Sequence, residues 1–153
     1  MYSSYTKKEL FTLCKENKLI PVNKISFPSD IINIYMQFLP RKYRIAEQEY
    51  FIVICLDGNN SPSHYKAISK GTADKTIVHP RDVFKFAISK NAVRIILCHN
   101  HPSGSLVPSR EDNDMTKRLK QGGELLGIDI IDHIIIGPNP INFYSFRENG
   151  NIF

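Results

Sequence analysis

Three strand-length runs of apolar residues constrain the fold of this 153-residue chain more than any other sequence feature. Residues 50–56 form a continuous run of β-branched and aromatic side chains, and residues 92–98 and 128–136 are similarly apolar. Runs of this length and composition are typical of strands that are buried on both faces of a sheet. We therefore expect three central strands in one buried sheet.

Helical patterns alternate with these runs. Apolar residues at helical spacing, with capping residues before them and Pro or Gly after them, mark the helix boundaries. The predicted helices cover residues 7–17, a segment from Ser29 or Asp30 to Pro40, residues 80–91 and residues 109–127, and two weaker strands are expected at 64–70 and 141–146. The glycine pair Gly122-Gly123 inside the longest helix predicts a close backbone approach. This order of elements predicts an α/β domain in which helices flank a mixed β-sheet.

Composition indicates a soluble globular protein. Apolar residues make up 42% and charged residues 23% of the chain, which argues against wholesale disorder. The apolar runs are too short to span a bilayer, and the N-terminal residues lack the apolar core of a secretory signal. Cys14, Cys55 and Cys98 are widely spaced without a C-x-x-C pair, so no cysteine-based metal site is indicated. We expect a cytoplasmic protein with no membrane association.

One short segment carries side chains suited to metal binding. His99 and His101 follow the second apolar run, and Asp112 lies three residues after Ser109 in the first turn of the longest helix. Residues i and i+2 of an extended backbone point the same way, and Pro102 favours extended geometry at the preceding residue. Two imidazoles and a carboxylate, with a fourth position left for water, make up a catalytic zinc site. Other divalent metals suit these ligands, and zinc is the best single candidate.

Each half of this pattern also has a simpler interpretation. Ser109-x-x-Asp112 is an ordinary helix N-cap with an acidic first turn. An isolated His-x-His sequence more often does not bind a metal. Their combination between a buried strand and a helix N-terminus favours a metal site. His79 and His133 are interpreted as structural residues and not as ligands. The H-x-E and P-C-x-x-C elements of zinc deaminases are absent from the sequence.

The spacing from His99 to Asp112 resembles the complete JAMM (MPN+) metalloprotease motif, in which seven residues separate His-x-His from Ser-x-x-Asp. The surrounding letters resemble the RadC family in particular, and the resemblance covers roughly residues 45–150. The segments that carry it are His99–Gly104, Pro108–Asp112, Gly71-Thr72, Val78–Phe84, Leu126–Ile128, Asp132–Gly137 and Tyr144–Glu148.

This resemblance implies a JAB/MPN fold, similar to that of cytidine deaminases, with Zn2+ held by His99, His101 and Asp112. It also implies that Glu49 is the general base and that Ser109 stabilises the oxyanion. Glu47 would point the same way as Glu49 in a strand, so the sequence leaves the choice of base open between these two residues. The implied activity is a metal-dependent hydrolase that cleaves a peptide or isopeptide bond in a protein or peptide substrate.

The N-terminal part is predicted to be a helical extension at residues 1–44, followed by a RadC-like JAB/MPN domain at residues 45–153. The extension is shorter than the helix-hairpin-helix region of longer RadC proteins and lacks its glycine-bearing hairpin. The net charge of +5 permits nucleic-acid binding without requiring it. Together with this charge, the resemblance to RadC proteins implies an alternative function, a DNA-binding protein associated with DNA repair or a nuclease-like factor. The sequence leaves the substrate and the oligomeric state open.

Overall fold

A computed structural model of the chain describes residues 24–37, 48–71, 77–150 and 152–153. The elements in chain order are α1 (Pro28–Gln37), β1 (Tyr50–Leu56), β2 (Pro62–Lys70), α2 (Pro80–Ser89), β3 (Arg94–Asn100), α3 (Arg110–Leu126), β4 (Asp129–Ile136) and β5 (Phe143–Ser145). The helix predicted at residues 7–17 lies outside the described residues.

The five strands form one mixed sheet in the order β2-β1-β3-β4-β5. β1 pairs antiparallel with both β2 and β3, β3 pairs parallel with β4, and β5 pairs antiparallel with β4. Parallel neighbours need a long crossover connection, and α3 provides it between β3 and β4. The prediction of a mixed sheet flanked by helices is confirmed.

The helices cover both faces of the sheet, because alternate side chains of each strand point to opposite faces. On one face, Ile31 and Ile34 of α1 belong to an apolar cluster with Ile52, Ile96 and Cys98. On the other face, the cluster joins residues of β1 and β3 to the apolar sides of α2 and α3: Phe51, Val53, Ile95, Leu97, Val83, Phe84 and Leu119. Every residue of β1 is buried, as the sequence predicted for its first apolar run.

Local sequence explains where α3 begins and ends. Ser109 and Asp112 form a capping box at its start, and Gly127 ends it with a left-handed φ of 71°. A Cβ at Gly123 would collide with the Ile128 carbonyl oxygen, and one at Gly122 would lie 2.8 Å from a ring carbon of Phe84. The predicted close backbone approach is confirmed at Gly123, and Gly122 lets α3 pack closely against Phe84 of α2.

The end of β3 differs from the sequence-based expectation. β3 ends at Asn100 and not at Cys98, since His99 and Asn100 continue the pairing with Ile135 and Ile136 of β4. The predicted domain boundary at residue 44 falls among residues that the structure does not describe, and it stays a prediction. Within the described part of the chain, no helix has the length and apolar character needed to cross a membrane.

Candidate metal centre

The candidate metal centre lies at the carboxyl end of β3, on the sheet face covered by α2 and α3. His99 pairs with Phe51 across the β1–β3 ladder, and the two rings stack with centroids 6.0 Å apart. His101 follows the end of β3, and its backbone N–H donates to the Ile136 carbonyl at 2.8 Å. Asp112 reaches the same place from the first turn of α3. The strand β3, the residue that follows it closely and the first turn of α3 therefore bring these three side chains to one place.

The three predicted ligands come together there, with candidate ligand atoms within 4.8 Å of one another. The two Nε2 atoms of His99 and His101 are 2.9 Å apart. Asp112 places Oδ1 3.3 Å from Nε2 of His99 and Oδ2 3.4 Å from Nε2 of His101. His99 and Asp112 are buried, whereas His101 is only partly buried, which leaves one side of the cluster open.

The donor chemistry fits a divalent metal ion. The Nδ1 atom of His101 lies 2.7 Å from the Ser105 carbonyl, and because a carbonyl only accepts, the proton of His101 is on Nδ1. In the neutral ring, Nε2 therefore carries the lone pair, which faces His99 and the carboxylate. Tetrahedral zinc bonds at about 2.0–2.1 Å would separate two ligand nitrogens by about 3.3 Å, close to the spacing found here. The site has the composition of an open metal centre.

Electrostatics keep the carboxylate ionised. Burial alone would raise the pKa of Asp112, but the contacts with His101, His99 and the Ser109 N–H outweigh it and hold this pKa far below its usual range. For His101, burial lowers the pKa, yet the contacts with Asp112 and the Ser105 carbonyl and the nearby charge of Glu49 leave it raised. The cluster therefore attracts positive charge.

Glu49 immediately precedes β1 and lies next to this cluster. Continuing the β1–β3 register by two residues beyond the Phe51–His99 pair puts Glu49 opposite His101, on the same face of the sheet. The charge of Glu49 acts on His101, which agrees with that placement. Glu47, the alternative base, lies outside the described residues.

Asn100 fixes the backbone on both sides of Glu49. Its Oδ1 accepts from the Tyr50 N–H at 2.8 Å, and its Nδ2 donates to the Gln48 carbonyl at 2.9 Å. The Glu49 carbonyl itself accepts from the Gly71 N–H at 2.9 Å. Asn100 is buried, so these bonds form away from competing water. The middle residue of the His-Asn-His sequence thus holds the segment that carries Glu49.

Ser109 is the N-cap of α3 in this structure. Its Oγ accepts from the Asp112 N–H at 3.0 Å, while its own N–H donates to Oδ2 of Asp112 at 2.8 Å. The helix-cap interpretation of this serine is therefore confirmed. Because the hydroxyl oxygen accepts in this bond, the hydroxyl proton can still be donated to another group.

Two buried polar residues beside the cluster were not predicted as part of it. His133 lies within β4 with Nε2 2.7 Å from Nδ1 of His99, and Thr116 of α3 places its hydroxyl 2.7 Å from Nδ1 of His133. Burial and the nearby His99 hold the pKa of His133 well below its usual value. The sequence did contain one sign of this contact, because His133 lies within an apolar strand. A polar ring that is buried in this way needs a hydrogen-bond partner.

Asp132, the neighbour of His133, has a structural role. Its carboxylate accepts from the Ser145 hydroxyl at 2.6 Å and from the N–H groups of His133 and Arg147 at 2.7 and 3.0 Å. These bonds tie the turn after β5 to β4. Two segments that resemble the RadC family, those around Asp132 and Ser145, therefore meet here.

A cavity of about 460 Å³ lies between the loop that follows His101 and the loop that follows β4. Its apolar lining comes from Leu106, Pro138, Ile141 and Phe143. A second cavity, of about 580 Å³, involves Phe27, Ile31 and Asp132 and lies on the α1 side of the sheet. Only the first of these two adjoins the loop that holds His101.

Sequence comparison relates this chain to known proteins. The family model described as RadC-like JAB domain matches residues 25–151. A UPF0758 protein of Clostridium perfringens is 43% identical over 140 residues, which cover 92% of this chain and 59% of that protein. A UPF0758 protein of Clostridium botulinum is 45% identical over 129 residues, which cover 84% of this chain and 54% of that protein. This chain thus matches somewhat more than half the length of these relatives, and it belongs to the RadC-like JAB domain family.

Proposed function

We propose that this chain is a zinc-dependent hydrolase of the JAMM class that cleaves a peptide or isopeptide amide bond. The observation that carries the proposal is the convergence of two imidazole Nε2 atoms and an ionised carboxylate at one partly open point. Membership of the RadC-like JAB domain family supports it. Zinc held by His99, His101 and Asp112 would supply Lewis-acid chemistry that acidifies water and polarises a carbonyl.

The roles of the neighbouring side chains follow from where they lie. Glu49, beside His101, takes the proton of the attacking water and returns it to the leaving amine. Ser109, at the N-terminus of α3, donates a hydrogen bond from its hydroxyl to the oxyanion that develops on the substrate carbonyl. Its cap bond to the Asp112 N–H uses only its oxygen, so the cap and the donor role are compatible.

The cavity between the loop after His101 and the loop after β4 provides a place for the substrate. Its walls are Leu106 on one loop and Pro138, Ile141 and Phe143 on the other, so it suits an apolar side chain next to the scissile bond. Because Leu106 follows Ser105, whose carbonyl accepts from His101, an occupant of this cavity would lie against the loop that orients His101.

The test compares the zinc-loaded wild type with Glu49→Gln and Glu47→Gln on a mixture of fluorogenic peptides and lysine-isopeptide conjugates. We expect the wild type to cleave at least one probe and Glu49→Gln to reduce kcat by about 100-fold or more with its zinc retained. Glu47→Gln should stay within about threefold of the wild type, since the proposal assigns no proton transfer to it. A zinc-loaded wild type that cleaves none of the probes, or an active Glu49→Gln variant, would refute the proposal.

DNA binding is the alternative suggested by the net charge of +5. The sequence contains one short basic cluster, Arg41-Lys42-Tyr43-Arg44, which lies outside the described residues. Binding through phosphate contacts would weaken steeply as salt concentration rises, and a titration on duplex DNA at several salt concentrations tests for it.

A further inference from the structure

We propose that Thr116 and His133 are positioning residues that keep the proton of His99 on Nδ1 and so aim the lone pair of its Nε2 at the metal centre. This inference rests on the metal centre of the proposed function and deepens it. It assigns to two residues of α3 and β4 a part in metal binding, although neither supplies a ligand atom.

A continuous chain of short contacts links α3 to the candidate ligand. The Thr116 hydroxyl donates to the backbone carbonyl of Asp112 at 2.6 Å. The same hydroxyl oxygen is 2.7 Å from Nδ1 of His133, and Nε2 of His133 is 2.7 Å from Nδ1 of His99. Each of these distances is a hydrogen-bond distance, so every link must contain one proton.

The backbone carbonyl of Asp112, at the α3 end of this series of contacts, sets the direction of every hydrogen bond in the series. A carbonyl oxygen only accepts, so the single hydroxyl proton of Thr116 is committed to Asp112. The Thr116 oxygen must then accept from Nδ1 of His133, which leaves Nε2 of His133 as an acceptor. This acceptor requires the proton of His99 to be on Nδ1. The lone pair of His99 Nε2 is thereby turned towards His101 and the Asp112 carboxylate.

Burial and ring packing prevent this arrangement from being exchanged for another. Thr116 and His133 are wholly buried and His99 is 1% exposed, so water does not compete for these groups. The His133 ring stacks on Phe146 with centroids 4.7 Å apart at an angle of 5°, which fixes the plane of the imidazole. The reverse order of donors would leave the Thr116 and Asp112 oxygens 2.6 Å apart without a proton between them, which is repulsive.

Asp112 therefore lies at both ends of this network. Its backbone carbonyl fixes the proton order, and its carboxylate lies 3.3 Å from the Nε2 atom that the order leaves unprotonated. Partners that orient a metal-binding histidine change metal affinity by about 10- to 100-fold when they are lost. The Thr116 hydroxyl should have an effect of that size.

The test compares Thr116→Val, which replaces the hydroxyl with a methyl group of similar size, with Thr116→Ser, which keeps it. Zinc affinity is measured by competition with a chromophoric chelator, and thermal unfolding of the metal-free proteins shows whether each variant folds. We expect Thr116→Val to bind zinc about 10- to 100-fold more weakly and Thr116→Ser to stay within about threefold of the wild type. If Thr116→Val does not fold, Thr116→Ala replaces it in the comparison.

A spectroscopic measurement reads the proton order directly. Proton–nitrogen NMR of the histidine side chains in the folded wild type should show His133 with a protonated Nδ1 and an unprotonated Nε2. His133 protonated on Nε2, or equal zinc affinities of the Thr116→Val and wild-type proteins, would overturn the inference. Zinc binding with the expected ranking but without hydrolysis would overturn only the proposed activity. A wild type that binds no zinc would overturn both.

Discussion

At the scale of single residues, each candidate ligand is fixed by a second contact. His101 is bonded to the Ser105 carbonyl, and Asp112 to the N-cap of its own helix. The sequence offered two interpretations of Ser109-x-x-Asp112, and the structure shows the cap while leaving Oδ1 of Asp112 directed at His99. The contact between His99 and His133 could not be predicted, because it depends on the parallel register of β3 and β4. That register follows from long-range packing and not from local pattern.

The raised pKa of His101 predicts how the stability of the metal-free protein depends on pH. A histidine whose pKa is higher in the folded than in the unfolded state stabilises the fold below pH 6.5, and this contribution is lost as pH rises through the folded-state pKa. His133, with a lowered pKa, has the opposite effect and costs stability as pH falls below 6.5. We expect the free energy of unfolding of the wild type, measured with a chelator present, to decline above pH 6.5.

The matched variant for this prediction is His101→Gln, which removes the ring that titrates in this range. Its unfolding free energy should lack the decline above pH 6.5 and keep the loss at lower pH that comes from His133. Identical slopes for the two proteins above pH 6.5 would show that His101 is not the group responsible.

At the scale of elements, the pairing of β1 with β3 brings Glu49 to the metal centre. The apolar runs predicted both strands, but nothing in their composition showed that they are neighbours or that the pairing is antiparallel. Asn100 adds a specific constraint, because its side chain bonds to backbone groups on both sides of Glu49. No pattern in the sequence assigns this role to the residue between the two histidines.

Loss of the Asn100 side chain should loosen the segment that carries Glu49 and leave the metal ligands in place. We expect Asn100→Ala to lower the free energy of unfolding by about 1–3 kcal/mol, since buried backbone groups lose their partners. Hydrogen exchange should show faster exchange of the Tyr50 amide, and zinc affinity should change by less than about threefold.

Asn100→Asp is the matched variant for that measurement. Its carboxylate can still accept from the Tyr50 N–H but cannot donate to the Gln48 carbonyl, so the Tyr50 amide should remain protected. Unchanged exchange of the Tyr50 amide in Asn100→Ala would contradict the role assigned to Asn100.

At the scale of the whole molecule, the three apolar runs and the helices between them were enough to predict an α/β domain with a mixed sheet. The order β2-β1-β3-β4-β5 was beyond the sequence, because β3 lies between β1 and β4 through pairing between segments that are distant in the chain. The spacing from His99 to Asp112 predicted which side chains would meet, since both ends of that segment are fixed locally by a strand and a helix cap. The match of the family model begins at residue 25, ahead of the motifs that first indicated it.

The central claim is that this fold assembles a metal centre, and metal stoichiometry tests it most directly. Elemental analysis of the purified chain after equilibration with zinc at neutral pH should find about one zinc per chain. Glu49→Gln and His79→Ala, which alters an exposed histidine outside the cluster, should keep that zinc. His99→Ala should lose it and remain folded by circular dichroism. A folded wild-type chain that takes up no zinc under these conditions would contradict the account.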